Sequence, residues 1–193
     1  RRKAQYAQYA QYTKIKPRVL SASTQEDSGI LDETSMLVEV EKIRVLAIAC
    51  GLTVGTGESL TGGMLMSLFT AVAGSSAVFH ASAVTYTDAV KQIALGVRRR
   101  TLLKHTAVSA QTAAEMAAGV VAKFAVDIGV SLTGFAGPTG DRKGEVWIGL
   151  AGPHGRFVVQ QHNFGDHLTR QEVRLRSCAA AIDMLHDALK DAA

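Results

Sequence analysis

Long apolar runs and cysteines are both scarce in this sequence. No stretch of 18 or more apolar residues occurs, which excludes a helix long enough to span a membrane. The two cysteines, Cys50 and Cys178, lie 128 positions apart and form no CxxC motif. This spacing predicts neither a disulfide framework nor a zinc site, so we expect buried thiols in a reducing, cytoplasmic compartment.

Metal-binding patterns are missing as well. The six histidines include no HExxH motif and no H-x-x-x-H pair, and carboxylates do not cluster around them. We therefore expect no metal ion and no other cofactor, and we interpret the histidines as ordinary polar residues.

Acidic residues are missing from the first 18 positions, which hold six basic residues. The whole chain has a net charge of +4, so removing this +6 leaves the rest at −2. The basic character therefore belongs to the N-terminal segment, and nucleic acid is not expected as a partner of the rest. Ala-Gln-Tyr also repeats three times at 4–12. We interpret residues 1–30 as a low-complexity extension and 31–193 as one domain.

The pattern of residues 31–193 predicts a layered α/β/α fold. With 47% hydrophobic and 20% charged residues, the composition is that of a soluble globular protein with one sizeable core. Strand and helix signals alternate first, and an antiparallel hairpin follows near the C-terminus, so we expect a mixed, mainly parallel sheet. The helices predicted from periodicity and caps follow Asp32, cover 64–72, run from Asp88 to Leu95, follow Ser109 and cover 169–190; the strands cover 52–55, 81–87, 128–133, 146–151 and 157–162.

The glycine-rich stretch GTGESLTGG, Gly55 to Gly63, matches none of three known templates. A phosphate-binding loop needs Lys where Gly63 stands, and the dinucleotide fingerprint needs Gly where Leu60 stands. The hydrolase elbow G-x-S-x-G needs Gly at the position of Thr61.

Physical reasoning leaves two interpretations of this stretch. Ser59 and Thr61 follow a strand, and a helix is expected to begin around Gly62. The unpaired N–H groups of a helix start suit an anion or a developing oxyanion at the carboxyl edge of the sheet. The alternative is a helix start capped by Ser or Thr, with glycines that permit a tight turn.

Four motifs in order give the sequence a specific resemblance. ESLTGG at 58–63, AGSSAVF at 73–79, VTYTDAVK at 84–91 and TGFAGPTG at 133–140 resemble the motifs of the CinA C-terminal domain family. The resemblance covers about Leu37 to Leu189, and characterised members of the family include nicotinamide mononucleotide deamidases. It implies an amidohydrolase that releases ammonia from nicotinamide mononucleotide.

The resemblance also implies the active-site residues. Ser59 would be the nucleophile, Lys91 its general base, and Tyr86 a hydrogen-bond partner of either. A lysine serves as a base only if its free pKa of about 10.4 is lowered, and the apolar neighbours of Lys91 favour such desolvation. Donors for the oxyanion are expected from the backbone around 61–63 or 74–76. The substrate-binding residues implied are Glu58, Thr61, Gly62, Gly63, Ser75, Ser76, Gly134, Gly137 and, for the phosphate, Arg170, with Arg174 as an alternative.

Some positions depart from the family pattern and keep alternatives open. Leu60 replaces the usual cysteine, His167 follows Gly165-Asp166 where the family has arginine, and the loop after Pro138 is short. A non-catalytic nucleotide-binding or regulatory module of the same fold would fit these changes. A nucleic-acid-associated protein, suggested by the family's link with competence and damage, is the third possibility. The resemblance and the apolar helical surface also imply a homo-oligomer, a dimer.

Overall fold

The computed structural model describes residues 18–21, 33–140, 142–153 and 156–192. Within them the chain forms a six-stranded mixed sheet between two layers of helices. The strands are β1 (Arg18–Ser21), β2 (Val54–Glu58), β3 (Phe79–Val84), β4 (Ile128–Gly134), β5 (Glu145–Ala151) and β6 (Phe157–Asn163). The helices are α1 (Glu33–Cys50), α2 (Met64–Thr70), α3 (Asp88–Leu95), α4 (Arg99–His105), α5 (Ala110–Phe124) and α6 (Arg170–Lys190).

The strand order is β1-β6-β5-β4-β2-β3. The pairs β2–β3, β2–β4 and β1–β6 are parallel, whereas β4–β5 and β5–β6 are antiparallel. The predicted fold class, including the mixed sheet and the hairpin near the C-terminus, is confirmed. Strand β1 was not predicted; it lies inside the segment interpreted as an extension, so part of that segment belongs to the sheet.

The two helical layers bury separate apolar faces of the sheet. Helices α1, α2 and α6 share the largest core cluster with β4 and β5, and α5 packs on the other face beside α3 and α4. Close approach on that second face depends on small residues. A Cβ on Gly129 would lie 2.2 Å from the carbonyl oxygen of Ala117, and one on Gly119 would lie 2.0 Å from that of Leu95. Larger residues at Gly129 or Gly119 would therefore force α5 away from β4 or α3.

Most predicted boundaries lie close to the observed ones, and local chemistry explains the shifts. Ser109 caps α5 as predicted, accepting a hydrogen bond from Thr112 N–H, and Gly51 follows α1 in a left-handed conformation. The cap of α3 is Thr87 rather than Asp88, because the Thr87 hydroxyl accepts from Val90 N–H. The predicted cap Asp32 lies outside the described residues, as does part of the predicted turn at 152–155.

Helix α4 was missed because its first residues, Arg99 and Arg100, resemble a solvated basic turn. Arg98 just before it is anchored by Glu115 of α5, whose carboxylate accepts from the Arg98 side chain and backbone.

No helix among the described residues is long and apolar enough to cross a membrane. Cys50 and Cys178 both carry free thiols.

Candidate active site

Three parallel strands end at the same edge of the sheet and bring the predicted site together. Ser59 directly follows β2, and Thr85 and Tyr86 follow β3. Gly134 ends β4, which runs beside β2 with Leu132 opposite Glu58. The carboxyl edge of a parallel sheet is where α/β folds bind ligands. The structure therefore places the serine, the strand ends and the glycine loop after β4 in one region.

Ser59 and Lys91 form a buried pair at this edge. The Nζ atom of Lys91 lies 3.2 Å from the Oγ atom of Ser59 and donates to the carbonyl oxygen of Thr85 at 3.0 Å. Lys91 is only 2% exposed and Ser59 is 7% exposed. Helix α3 starts three residues after Thr85, and this short connection directs its first turn, with Lys91, back toward β2. A nucleophile and a base at hydrogen-bond distance are the minimal requirement for covalent acyl transfer.

The surroundings of Lys91 favour its neutral form. Burial lowers the pKa of Lys91, and the charge of Asp88 opposes this shift only in part. Both hydrogen-bond partners of the Nζ atom, the Ser59 hydroxyl and the Thr85 carbonyl, are uncharged. Because desolvation penalises the ammonium form, the amine can lose its proton closer to neutral pH than a free lysine does. The predicted desolvation of Lys91 is thus supported by its position.

Glu58 caps the start of helix α2. Its carboxylate accepts hydrogen bonds from the backbone N–H groups of Gly63, Leu65 and Met66 over 2.9–3.1 Å. The side chain is completely buried. Carboxylates stabilise helix starts by accepting N–H groups and by opposing the helix dipole. Glu58, which the resemblance places among the substrate-binding residues, serves here as a helix cap, and its contact with substrate stays a prediction.

The hydrogen bonds of this turn also determine which backbone N–H groups remain available as oxyanion donors. The N–H group of Gly63 donates to Glu58, and that of Gly62 donates to the carbonyl oxygen of Ser59 at 3.1 Å. Both glycines adopt left-handed backbone conformations that let the turn close. Of the oxyanion donors expected from the backbone around 61–63, the amides of Gly62 and Gly63 are thus already paired in this structure.

Thr61 is fully buried directly beside this turn. Its hydroxyl is the one buried side-chain polar atom without a hydrogen-bond partner among the described residues. The predicted contact of Thr61 with substrate stays a prediction. An unsatisfied buried hydroxyl costs stability.

Ser75 and Ser76 lie at the other end of helix α2. The Ser75 hydroxyl donates to the carbonyl oxygens of Phe69 and Val72, and Ser76 is exposed. The short 3-10 helix formed by Ser75–Ala77 precedes β3, so it stands at the amino edge of the sheet. The parallel strands hold Ser75 and Ser76 at the edge opposite Ser59 of the same chain, and substrate binding by these serines stays a prediction.

Tyr86, Arg170 and Gly137 meet at an exposed rim of the site. Arg170, in the first turn of α6, donates to the Tyr86 hydroxyl at 3.0 Å and to the Gly137 carbonyl oxygen at 2.5 Å. Tyr86 is 61% exposed, and Arg170 is its one hydrogen-bond partner among the described residues. The described part of the chain shows no hydrogen bond from Tyr86 to Ser59 or Lys91, and a catalytic role of Tyr86 stays a prediction. Its exposure and its bond to Arg170 place the Tyr86 hydroxyl at this rim.

Two contacts of basic residues were missed from the sequence. Lys143 packs its side chain on Gly137 and donates to the backbone carbonyl of Asp166. Arg174 of α6 donates to the carbonyl oxygens of Leu60 and Thr61, next to the nucleophile. A basic residue 23 positions from Asp166 or 114 from Leu60 gives no local signal. Only the tertiary fold brings the start of α6 to this edge.

Solved structures of related proteins match most of this chain. The chain matches, with a TM-score of 0.76 and 36% identity, the crystal structure of the competence/damage inducible protein CihA from Agrobacterium tumefaciens, covering 80% of this chain and 95% of that one. A CinA superfamily protein from Klebsiella pneumoniae matches with a TM-score of 0.77 at 29% identity, covering 81% of this chain and 98% of that one.

Relatives by sequence are longer than this chain. A CinA-like protein of Microcystis aeruginosa is 41% identical over 137 residues, which are 69% of this chain and 33% of that protein. A CinA-like protein of a Mycobacterium species is 37% identical over 184 residues, 93% of this chain and 41% of that protein. The chain thus spans about a third to two fifths of the length of these curated relatives. The model of the CinA C-terminal domain matches residues 38–189. The chain therefore belongs to the CinA C-terminal domain family.

Proposed function

We propose that the chain is a serine amidohydrolase that converts nicotinamide mononucleotide to nicotinate mononucleotide and ammonia. The observation that carries this proposal is the separation of 3.2 Å between Lys91 Nζ and Ser59 Oγ in a buried setting. A hydroxyl is a weak nucleophile at neutral pH, and an adjacent neutral amine is one of the few ways to activate it without a metal.

The reaction proceeds in two acyl-transfer steps. Neutral Lys91 takes the Ser59 proton while Oγ attacks the carboxamide carbon, and the carbonyl oxygen gains the electron pair. As the tetrahedral intermediate collapses, the carbon–nitrogen bond breaks and the Lys91 ammonium gives its proton to the leaving nitrogen, releasing ammonia. A water molecule then loses a proton to Lys91 and attacks the ester carbon. Ser59 recovers the proton and the carboxylic acid leaves.

The charge of the rim supports a phosphorylated substrate. Arg170 and Lys143 both border Gly137, and each donates to neutral oxygens. Neither forms an ion pair with a carboxylate of the described residues. Arginine and lysine with uncompensated charge bind phosphate well. The nicotinamide ring would enter toward Ser59, and the 5′-phosphate would remain at the exposed rim.

The test is ammonia release together with the mass of the acylated protein. We expect release from nicotinamide mononucleotide by the full chain, and a loss of at least about 10³-fold in Ser59→Ala, as in other serine hydrolases that lose the nucleophile. Ser67→Ala, an exposed serine of α2, is the matched control and should retain activity. An adduct of the nicotinoyl ribotide mass on Ser59 after rapid acid quenching supports the covalent route.

Two outcomes would contradict the proposal. If Ser59→Ala releases ammonia as fast as the unmodified chain, Ser59 is not the nucleophile. If the unmodified chain binds the nucleotide in a thermal-shift assay but releases no ammonia, the amidohydrolase proposal is wrong and a binding module is the better description.

A further inference from the structure

We propose that Arg174 positions the oxyanion hole of this site, and that the hole consists of the backbone N–H groups of Leu60 and Thr61. The inference rests on the proposed function, because it concerns acyl transfer at Ser59. It assigns to Arg174 a role in orienting the nucleophile turn instead of binding the phosphate.

The first step concerns which donors remain free in the turn. The N–H groups of Gly62, Gly63 and Met64 donate to Ser59, Glu58 and Thr61 respectively. Those of Leu65 and Met66 also donate to Glu58. The N–H groups of Leu60 and Thr61 donate to no residue that the structure describes. They are the first and second amides after the nucleophile, and the first amide after a catalytic serine is a common oxyanion donor.

The second step concerns the direction of these two amides. In a trans peptide the C=O and N–H bonds point to opposite sides of one plane. The Ser59 carbonyl accepts from Gly62 N–H, so the N–H of Leu60 in that peptide points away from the interior of the turn. The Leu60 carbonyl accepts from Arg174 Nε at 3.1 Å, so the N–H of Thr61 points away from Arg174. Both free donors are therefore held by bonds to the carbonyls of their own peptides.

The third step concerns what fixes Arg174 itself. Its Nη2 atom donates to the Thr61 carbonyl at 2.8 Å, and Nη1 donates to the side chain of Gln171 at 2.8 Å. All three guanidinium nitrogens are thus engaged, and the group is partly buried. The fork of a guanidinium fixes two carbonyls in one geometry, which a lysine cannot do. Arg174 is a positioning residue, because its hydrogen bonds hold the turn in one geometry before the reaction begins.

The experiment compares Arg174→Met, Arg174→Lys and, as matched control, Arg176→Met on the same helix. Arg176 forms no hydrogen bond or ion pair with the turn in the described part of the chain, and its charge acts on the exposed Glu172. Two substrates are used: nicotinamide mononucleotide, and p-nitrophenyl acetate, whose transfer of an acetyl group to Ser59 is followed by mass. Inhibition by pyridine-3-carboxaldehyde, which forms a hemiacetal with a serine, reports on the oxyanion site directly.

We expect Arg174→Met to lower kcat by about 10–100-fold with KM changed by less than about 3-fold. Removing an oxyanion donor costs about 10²–10³ in kcat, and this variant costs less because it keeps both donors and loses only their alignment. The inhibition constant of the aldehyde should rise by the factor by which kcat/KM falls, and the pH of half-maximal activity should not move. Arg174→Lys should be intermediate, and Arg176→Met should resemble the unmodified chain. A role in folding alone lowers the unfolding temperature without this proportional change in aldehyde affinity.

Three results would overturn the inference. One is an Arg174→Met variant that acetylates Ser59 and binds the aldehyde as the unmodified chain does. Another is a rise in KM for the nucleotide with unchanged kcat, which would make Arg174 a phosphate ligand. The third applies if Arg174→Met does not fold: an Arg174→Lys variant with the kcat and the aldehyde affinity of the unmodified chain would also overturn the inference. Ester acylation of Ser59 without ammonia release contradicts only the proposed substrate, whereas no acylation from either substrate contradicts both proposals.

Discussion

Arg170 of α6 donates a hydrogen bond to the hydroxyl of Tyr86 at 3.0 Å, joining two residues that are 84 positions apart. The bond ties the first turn of the last helix to the loop after β3, across the mouth of the site. Arg170 also holds the Gly137 carbonyl, so three parts of the chain meet at one guanidinium. This rim is the place where a charged end of the substrate would contact the protein.

Tyr86→Phe should affect substrate binding and not the chemical step. Removing the hydroxyl frees one donor of Arg170 and loosens its position, and an exposed hydrogen bond of this kind is worth about 0.5–1.5 kcal/mol. We expect KM for nicotinamide mononucleotide to rise about 2–10-fold with kcat nearly unchanged. A collapse of kcat in steady-state ammonia release would instead place the Tyr86 hydroxyl in the proton transfers of Ser59.

Arg170→Met should discriminate between phosphorylated and unphosphorylated substrates. If the guanidinium binds the phosphate, kcat/KM for nicotinamide mononucleotide falls by about 10–100-fold, the size expected for a charge-assisted hydrogen bond of about 1.5–3 kcal/mol. Nicotinamide riboside, which lacks the phosphate, should be hydrolysed equally by both proteins. Equal losses on the two substrates would show that Arg170 acts on the shape of the rim and not on phosphate.

Glu58→Gln should destabilise the protein and lower its activity together. The amide offers one acceptor oxygen where the carboxylate has two, and at least one buried N–H of α2 loses its partner. The expected loss is about 1–3 kcal/mol of unfolding free energy, measured by urea denaturation. Glu41→Gln, at an exposed carboxylate that pairs with Arg44, is the control and should change stability little. Unchanged stability in Glu58→Gln would contradict the capping role.

Thr61→Val tests the one buried hydroxyl that lacks a partner in the described part of the chain. Valine has nearly the same shape, so removing an unsatisfied hydroxyl should leave stability unchanged or raise it by about 1 kcal/mol. Thr133→Val is the control, because the Thr133 hydroxyl donates to the Ala107 carbonyl at 2.7 Å and its loss should cost about 1 kcal/mol. If Thr61→Val loses as much stability as Thr133→Val, the Thr61 hydroxyl has a partner in solution.

The elements that could be predicted from the sequence are those with strong local signals. Periodic apolar residues and the caps Ser109 and Thr169 define α5 and α6, and the alternating hairpin defines β5 and β6. Strand β1 could not be predicted, because its pairing partner Val158–Gln161 lies about 140 positions away. Nothing in a basic, acid-free segment indicates which edge of a sheet it will join.

The candidate site shows the same contrast between residues with a local sequence signal and residues placed by tertiary contacts. Ser59 and Lys91 came from motifs, and the fold brings them to hydrogen-bond distance. The capping role of Glu58 was not predicted, because a carboxylate beside a nucleophile suggests function, whereas here it accepts hydrogen bonds from the amides at the start of α2. The position of Ser75 and Ser76 could not be predicted, because a hydroxyl-rich loop gives no sign of the sheet edge at which it lies. Sequence reasoning misses such features wherever the surroundings of a polar group depend on tertiary hydrogen bonds and not on residue type.

The most direct measurement is the pH dependence of ammonia release from nicotinamide mononucleotide by the unmodified chain, Lys91→Ala and the exposed control Lys104→Ala. Because burial lowers the pKa of Lys91 and the neutral amine is the base, kcat/KM should rise with pH through that lowered pKa and level off before the free value of about 10.4. Lys91→Ala should lose at least about 10³-fold and this rising limb, and Lys104→Ala should keep both. Turnover by Lys91→Ala with the same rate and the same pH profile would contradict activation of Ser59 by Lys91.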